Sequence, residues 1–113
     1  MACGVDIWAA EIVLRLKGSP NPELHLIAAI PFPSFNSTWD EDWKLRCCAI
    51  LSRAEYAKVL GPAFSRGIYQ RRNEWMVDHS MKVIAVYNSK SGATRNTIQY
   101  ASRRKVPVVL LEG

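Results

Sequence analysis

RRNEWMVDHSMKVIAVYNSKSGATRNTIQYA, residues 71–101, is the stretch whose reading decides the fold. It reads as a helix, a buried strand, a polar loop and a second helix. Residues 82–87 (KVIAVY) form a short, nearly continuous apolar run rich in β-branched side chains. That is the pattern of a strand covered on both faces. Residues 88–94 (NSKSGAT) break the run with small and polar side chains, and Gly92 gives the backbone the freedom a tight turn needs. In open α/β sheets a ligand sits beyond the carboxyl ends of the strands, where such a loop lies. The free amides and positive dipole end of the next helix attract an anion. Ser89, Ser91 and Thr94 add hydroxyl donors and Lys90 adds charge. The same composition suits an ordinary polar turn, and the chain has neither GxGxxG nor a Walker A motif.

On both sides of this stretch the same alternation continues. Residues 7–18 (IWAAEIVLRLKG) carry Ile7, Trp8, Ile12, Val13 and Leu16 at helical spacing, with Gly18 and Pro20 as the stop. Residues 24–32 (LHLIAAIPF) are a second buried-strand run, ended by Pro31 and Pro33. Ser37 or Thr38 caps a helix in which Trp39, Trp43, Cys47, Ile50 and Leu51 recur. A short strand lies within residues 55–60, a helix spans 68–79 with Trp75 and Met76 inward, and another spans 94–105. Residues 107–111 (PVVLL) close with a strand. Helix and strand alternate four times. This predicts an α/β fold, a Rossmann-like three-layer sandwich with a mostly parallel sheet of about four strands and right-handed crossovers. The 113 residues suit one domain, 1–113.

Composition narrows the function classes. Hydrophobic residues make up 49% of the chain, enough for a core, which sets disorder aside. No apolar run approaches the ~20 residues of a membrane helix. The amino terminus MACGVDIW lacks a basic segment followed by a long apolar one, so a cytoplasmic protein without signal peptide is the expectation. The net charge of +5 includes the local runs Arg71–Arg72 and Arg103–Arg104–Lys105. The second run lies where a helix ends and suits its dipole. Cys3, Cys47 and Cys48 show no metal spacing, and His25 and His79 stand alone. Neither a metal nor a cofactor is expected.

Further candidates flank the loop. An arginine at the start of the 68–79 helix faces the same carboxyl edge and could pair with a phosphate, as readily as it could be a solvated surface group. Gly4 permits close backbone approach and Asp6 could accept a ribose hydroxyl, although both also read as a plain helix start. Phe32 ends a buried strand at the ligand edge, either to stack on a base or to fill the core. No nucleophile–base pair or paired carboxylates appear there, so no catalytic residue is assigned.

Residues 2–14 (ACGVDIWAAEIVL), 26–32 (LIAAIPF), 71–101 and 106–112 (VPVVLLE) together resemble the YpsA-like branch of the SMF/DprA–LOG (SLOG) superfamily. The resemblance implies a Rossmann-like fold and a nucleotide or nucleotide-derived, ADP-ribose-like ligand. It matches Arg72 and Met76 to a helical Arg and Met of the LOG phosphoribohydrolases, and Gly92–Ala93–Thr94 to a reduced form of their Gly-Gly-Thr core. The LOG catalytic acid would fall at or near Asn96–Thr97, where no carboxylate stands. The resemblance therefore implies binding, as by a sensor, rather than strong catalysis. Phosphate would lie on Ser89, Lys90, Ser91, Gly92, Ala93 and Thr94 with Arg72. Asn73 and Asp6 would reach ribose, Gly4 would line the approach and Phe32 would flank the base.

The alternatives are a LOG-like phosphoribohydrolase, an interaction module using the Trp39/Trp43 helix, and a single-stranded DNA binder of the DprA kind. The chain lacks a clear basic–aromatic groove for nucleic acid, which makes the last a minor option. Compared with the resembled family, the chain starts at the end of a second strand, which predicts exposed strand edges and a homo-oligomer.

Overall fold

The computed structural model describes residues 4–16, 24–87 and 92–112, and these alternate helix with strand throughout. The elements are α1 Val5–Leu16, β1 Ile27–Ile30, α2 Glu41–Arg53, β2 Tyr56–Val59, α3 Ile68–Asp78, β3 Val83–Tyr87, α4 Ala93–Arg103 and β4 Val108–Glu112. The order and the α/β, Rossmann-like class are those read from the sequence. Among the described residues the four strands pair in parallel as two two-stranded sheets. β1 joins β2 with Ile27 opposite Tyr56 and Ile30 opposite Val59. β3 joins β4 with Val83 opposite Val108 and Tyr87 opposite Glu112. The chain divides into two compact units, Met1–Phe64 and Ser65–Gly113.

In the first unit, α1 buries Ile7, Ala10 and Leu14, a single stripe three and four residues apart. Trp8, Ile12 and Leu16, which share the sequence's helical spacing, stay about half exposed. β1 is covered at Ala28, Ala29 and Ile30, and Pro31, Phe32, Phe35, Cys47 and Ile50 extend this core. Full burial of a side chain such as Ile7 contributes about 1.5–3 kcal/mol. The β1–β2 ladder runs past the strand ends through Leu60 N–H to Ile30 O (2.9 Å) and Gly61 N–H to Pro31 O (3.0 Å).

The N-cap of α2 is Asp40, with Glu41 and Asp42 in the first turn. Ser37 and Thr38 do not take that place. Residues 32–39 are spent in successive tight turns, Phe35 N–H to Phe32 O, Ser37 N–H to Ser34 O and Trp39 N–H to Asn36 O, all at 3.1 Å.

α1 packs on α2. Arg46 Nε donates to Glu11 Oε2 at 2.9 Å, while its Nη2 donates to Oε1 of the same carboxylate. The guanidinium also lies 4.7 Å from the Trp43 ring centroid, and Trp43 meets Trp8 at 6.4 Å. This fork geometry holds the Glu11 carboxyl below the usual glutamate range, chiefly through the hydrogen bond from Arg46.

In the second unit, α3 packs on α4, and α4 packs on β3 and β4. Among the described residues of this unit, Ile68, Val77, Ala85 and Ala101 are the buried apolar side chains. Tyr100 Oη donates to Asp78 Oδ1 at 2.7 Å, and Arg104 Nε reaches the same oxygen at 3.2 Å. Asp78 is the last residue of α3, and Tyr100 lies near the end of α4. The two helices therefore run in the same direction. The hydrogen bond to the Asp78 carboxylate also raises the Tyr100 hydroxyl above its ordinary pKa. α4 closes with Lys105 at φ 60°, Val106 N–H bonding Ala101 O at 2.9 Å. This is the six-to-one bond of a Schellman closure, with lysine in the left-handed position that glycine usually holds.

Two expected outcomes follow from this packing. Glu11 has a depressed pKa in the folded chain, so its contribution is complete above the ordinary value of about 4.3 and disappears as pH falls below it. Glu11→Gln should lower the melting temperature at neutral pH, and the gap should close in acid; a gap that persists unchanged would contradict the ion pair. Lys105→Gly removes the Cβ penalty at a left-handed residue. It should raise stability by about 0.5–1 kcal/mol, measured by urea unfolding.

Candidate functional site

A strand followed by a parallel neighbour forces the intervening helix to run back along the sheet. α4 therefore starts at the carboxyl edge of β3, and α3, running in the same direction, starts at that edge too. Both helices open on a glycine, Gly67 at φ 80° and Gly92 at φ 139°, ψ −161°. Neither has a side-chain cap hydrogen bond or an acid in its first turn. The Gly92 conformation belongs to a region that only glycine occupies at low cost. A Cβ placed on Gly92 would meet no atom within 4 Å among the described residues. Ala93 and Thr94 follow it, both exposed, and Asn96 N–H is already bonded to Gly92 O at 3.0 Å. Ser89, Lys90 and Ser91 lie outside the described residues.

Arg72 is the buried charged side chain among the described residues, 6% exposed. Its Nε donates to Asn73 Oδ1 at 2.8 Å, and its guanidinium lies 6.0 Å from the Tyr69 ring centroid. The structure thus brings Arg72 and Asn73 together. Met76, one turn further along α3, is 43% exposed instead of inward, and Trp75 is half-buried and stacks on His79 at 4.3 Å. Arg66, Arg71 and Arg95 stand beside or within the first turns of α3 and α4. The amino ends of these helices stand beside cations and hold no acid in the first turn, although Ile68 N–H of α3 is already given to Ser65 O at 3.1 Å. Chemically this favours an anion.

The remaining candidates belong to the first unit. Gly4, at φ 80°, gives its carbonyl to Trp8 N–H at 3.0 Å and so begins α1. Asp6 is the acid of the α1 first turn. Phe32 is buried and meets Phe64 edge-on at 5.9 Å. Trp39 packs edge-on against Phe35 at 5.4 Å, and Trp43 is engaged by Trp8 and Arg46. Among the described residues no three His, Cys, Asp or Glu side chains gather as a metal ion requires. No helix there is long and apolar enough to cross a membrane.

Sequence reasoning missed two groupings, Glu11 with Arg46 and Asp78 with Tyr100 and Arg104. The first pair is 35 residues apart and Tyr100 is 22 from Asp78, so no local signal marks them.

The model of the YspA SLOG family, YpsA, matches residues 1–111. The chain is 33% identical over 114 residues to the uncharacterized SPbeta prophage-derived protein YoqJ of Bacillus subtilis (strain 168), covering 90% of this chain and 66% of that protein. It is 31% identical over 118 residues to a UPF0398 protein of Macrococcus caseolyticus, covering 96% and 63%. A UPF0398 protein of Levilactobacillus brevis is 33% identical over 87 residues, covering 75% and 46%. The chain thus spans roughly half to two thirds of the length of these relatives. Its match to the family along residues 1–111, on an alternating parallel α/β scaffold, means that the chain belongs to the YspA SLOG family.

Proposed function

We propose that this SLOG domain binds a nucleotide or nucleotide-derived, ADP-ribose-like ligand, with its phosphate at the amino end of α4 and without strong catalysis. The observation that carries the reading is Gly92. It holds a glycine-only conformation at the point where β3 hands over to α4, with no acid in the first turn and, among the described residues, no atom within 4 Å of a Cβ placed there. An acid there would already neutralise the helix end, as Asp6 does on α1 and Glu41 and Asp42 do on α2. Gly92, Ala93 and Thr94 supply backbone amides, and Ser89, Lys90 and Ser91 precede them in sequence. Arg72 is the cation of this reading, oriented by Asn73.

The lack of a carboxylate in the first turn of α4 supports binding over hydrolysis. Asn96 and Thr97 stand where a LOG-type acid would, and Thr97 Oγ1 is spent on Ala93 O at 2.9 Å. Release of free base from a nucleoside monophosphate is therefore not expected, and liquid chromatography of the reaction mixture checks it.

The binding itself is tested by thermal unfolding with ADP-ribose, AMP and inorganic phosphate in turn. A ligand present at about 100 times its Kd stabilises by ~2.7 kcal/mol, which raises Tm by on the order of 10 °C in a chain of this size. Gly92→Asp places a negative charge and a strained residue at the proposed phosphate, and it should abolish the shift. No shift with any of the three, or a full shift in Gly92→Asp, would overturn the proposal.

A further inference from the structure

Asp78 of α3 accepts from Tyr100 Oη at 2.7 Å and lies 3.2 Å from Arg104 Nε, so these side chains mark the faces along which α3 and α4 meet. The charge of Glu74, one turn before Asp78, acts on the same Tyr100 hydroxyl. Side chains three, four and seven residues apart share one face of a helix. Glu74 and Asp78 therefore define the stripe of α3 turned to α4. One turn further towards the amino end this stripe reaches Arg71, three residues before Glu74 and seven before Asp78. The same step of seven back from Tyr100 on α4 reaches Ala93, the first residue of that helix.

The two helices run in the same direction and rise about 1.5 Å per residue. Arg71 and Ala93 thus lie at the same level, each about 10 Å before the Asp78–Tyr100 contact. Packed helices stand about 8–10 Å apart, axis to axis, a gap that an arginine side chain crosses. The other arginines near these ends point elsewhere. Arg72 lies about 120° round α3 from Asp78, whereas Arg71 lies within about 20° of it. Arg72 is buried and donates to Asn73 Oδ1. Arg95 lies about 140° round α4 from Tyr100. Arg71 is exposed, and among the described residues its guanidinium enters no ion pair.

We infer that Arg71 is a further phosphate-binding residue of the proposed site. Its guanidinium reaches from α3 to the anion at the amides of Ala93 and Thr94 and forks two hydrogen bonds onto it. The inference rests on the nucleotide-binding reading above and adds the cation on the side of α3 turned to α4.

The test measures thermal unfolding of the full chain with inorganic phosphate and with ADP-ribose. Arg71→Ala should weaken both by at least about tenfold. Arg71→Lys should recover only part of this, because it keeps the charge and loses the fork. Arg103→Ala makes the same change of net charge in the last turn of α4 and should stay within about twofold of wild type. Arg71 is exposed, so its variants should unfold near the wild-type temperature without ligand. Placement is read separately and without ligand: in a chain carrying Cys3→Ser and Cys48→Ser, Arg71→Cys with Ala93→Cys should be joined within one chain by a short bismaleimide. Wild-type binding that Arg71→Ala leaves intact, or that Arg103→Ala weakens equally, would overturn the inference and leave the nucleotide reading standing. Failure of the cross-link would overturn the placement of Arg71 whether or not a ligand binds. A wild-type chain that shifts with neither probe would overturn the nucleotide reading itself, and the role of Arg71 with it.

Discussion

Two parallel strands start at the same edge, so the chain must travel back the length of the sheet before the second can pair with the first. This geometric demand makes a helix of α2 between β1 and β2, and of α4 between β3 and β4. It also sets the direction of those helices. Their amino ends arrive at the carboxyl edge of the strands, where the backbone amides have no partner within the helix. What the chain places at each of those ends decides which of them is available to a ligand.

The two units answer that question differently. α2 begins with Asp40, Glu41 and Asp42, and α1 carries Asp6, so the positive ends of these helices are met by the chain's own carboxylates. α3 and α4 begin on glycines followed by Arg71, Arg72 and Arg95, with no acid in either first turn. Such an arrangement is disfavoured for stability alone, because arginine beside a helix amino end opposes the dipole. The proposed anion site makes sense of it. The buried Arg72 fits the same logic. A guanidinium leaves water at a cost, and Asn73 Oδ1 and the Tyr69 ring replace part of what it loses.

The elements were legible in the sequence because their signals are local. Short aliphatic runs such as residues 82–87 and 107–111 are bounded by Gly, Pro or polar clusters, and the strands fall within a residue or two of where those runs lie. Gly92 was legible as a turn residue, and its backbone conformation agrees. Facing was less legible. In α1 the apolar residues occupy both sides, so periodicity alone could not tell Ile7, Ala10 and Leu14 from Trp8, Ile12 and Leu16. In α3, Met76 stays out while Arg72 goes in, an inversion that hydropathy cannot anticipate. Strand pairing and the Glu11–Arg46 fork depend on contacts between distant residues, and single-residue types carry no record of them.

The unburied apolar faces follow from the same parallel geometry. A strand that reads as a continuous aliphatic run is built for cover on two sides, and each crossover helix supplies cover on one. Ala85 shows the covered side of β3 and Ile84 the open one, although they are neighbours in sequence and alike in hydropathy class. Alternation in an amphipathic strand would have put a polar residue at 84 if water were its intended neighbour. Isoleucine at 84, with valine and leucine at 109 and 111, suits an apolar neighbour instead, while Leu110, on the Ala85 side, is 58% exposed as well.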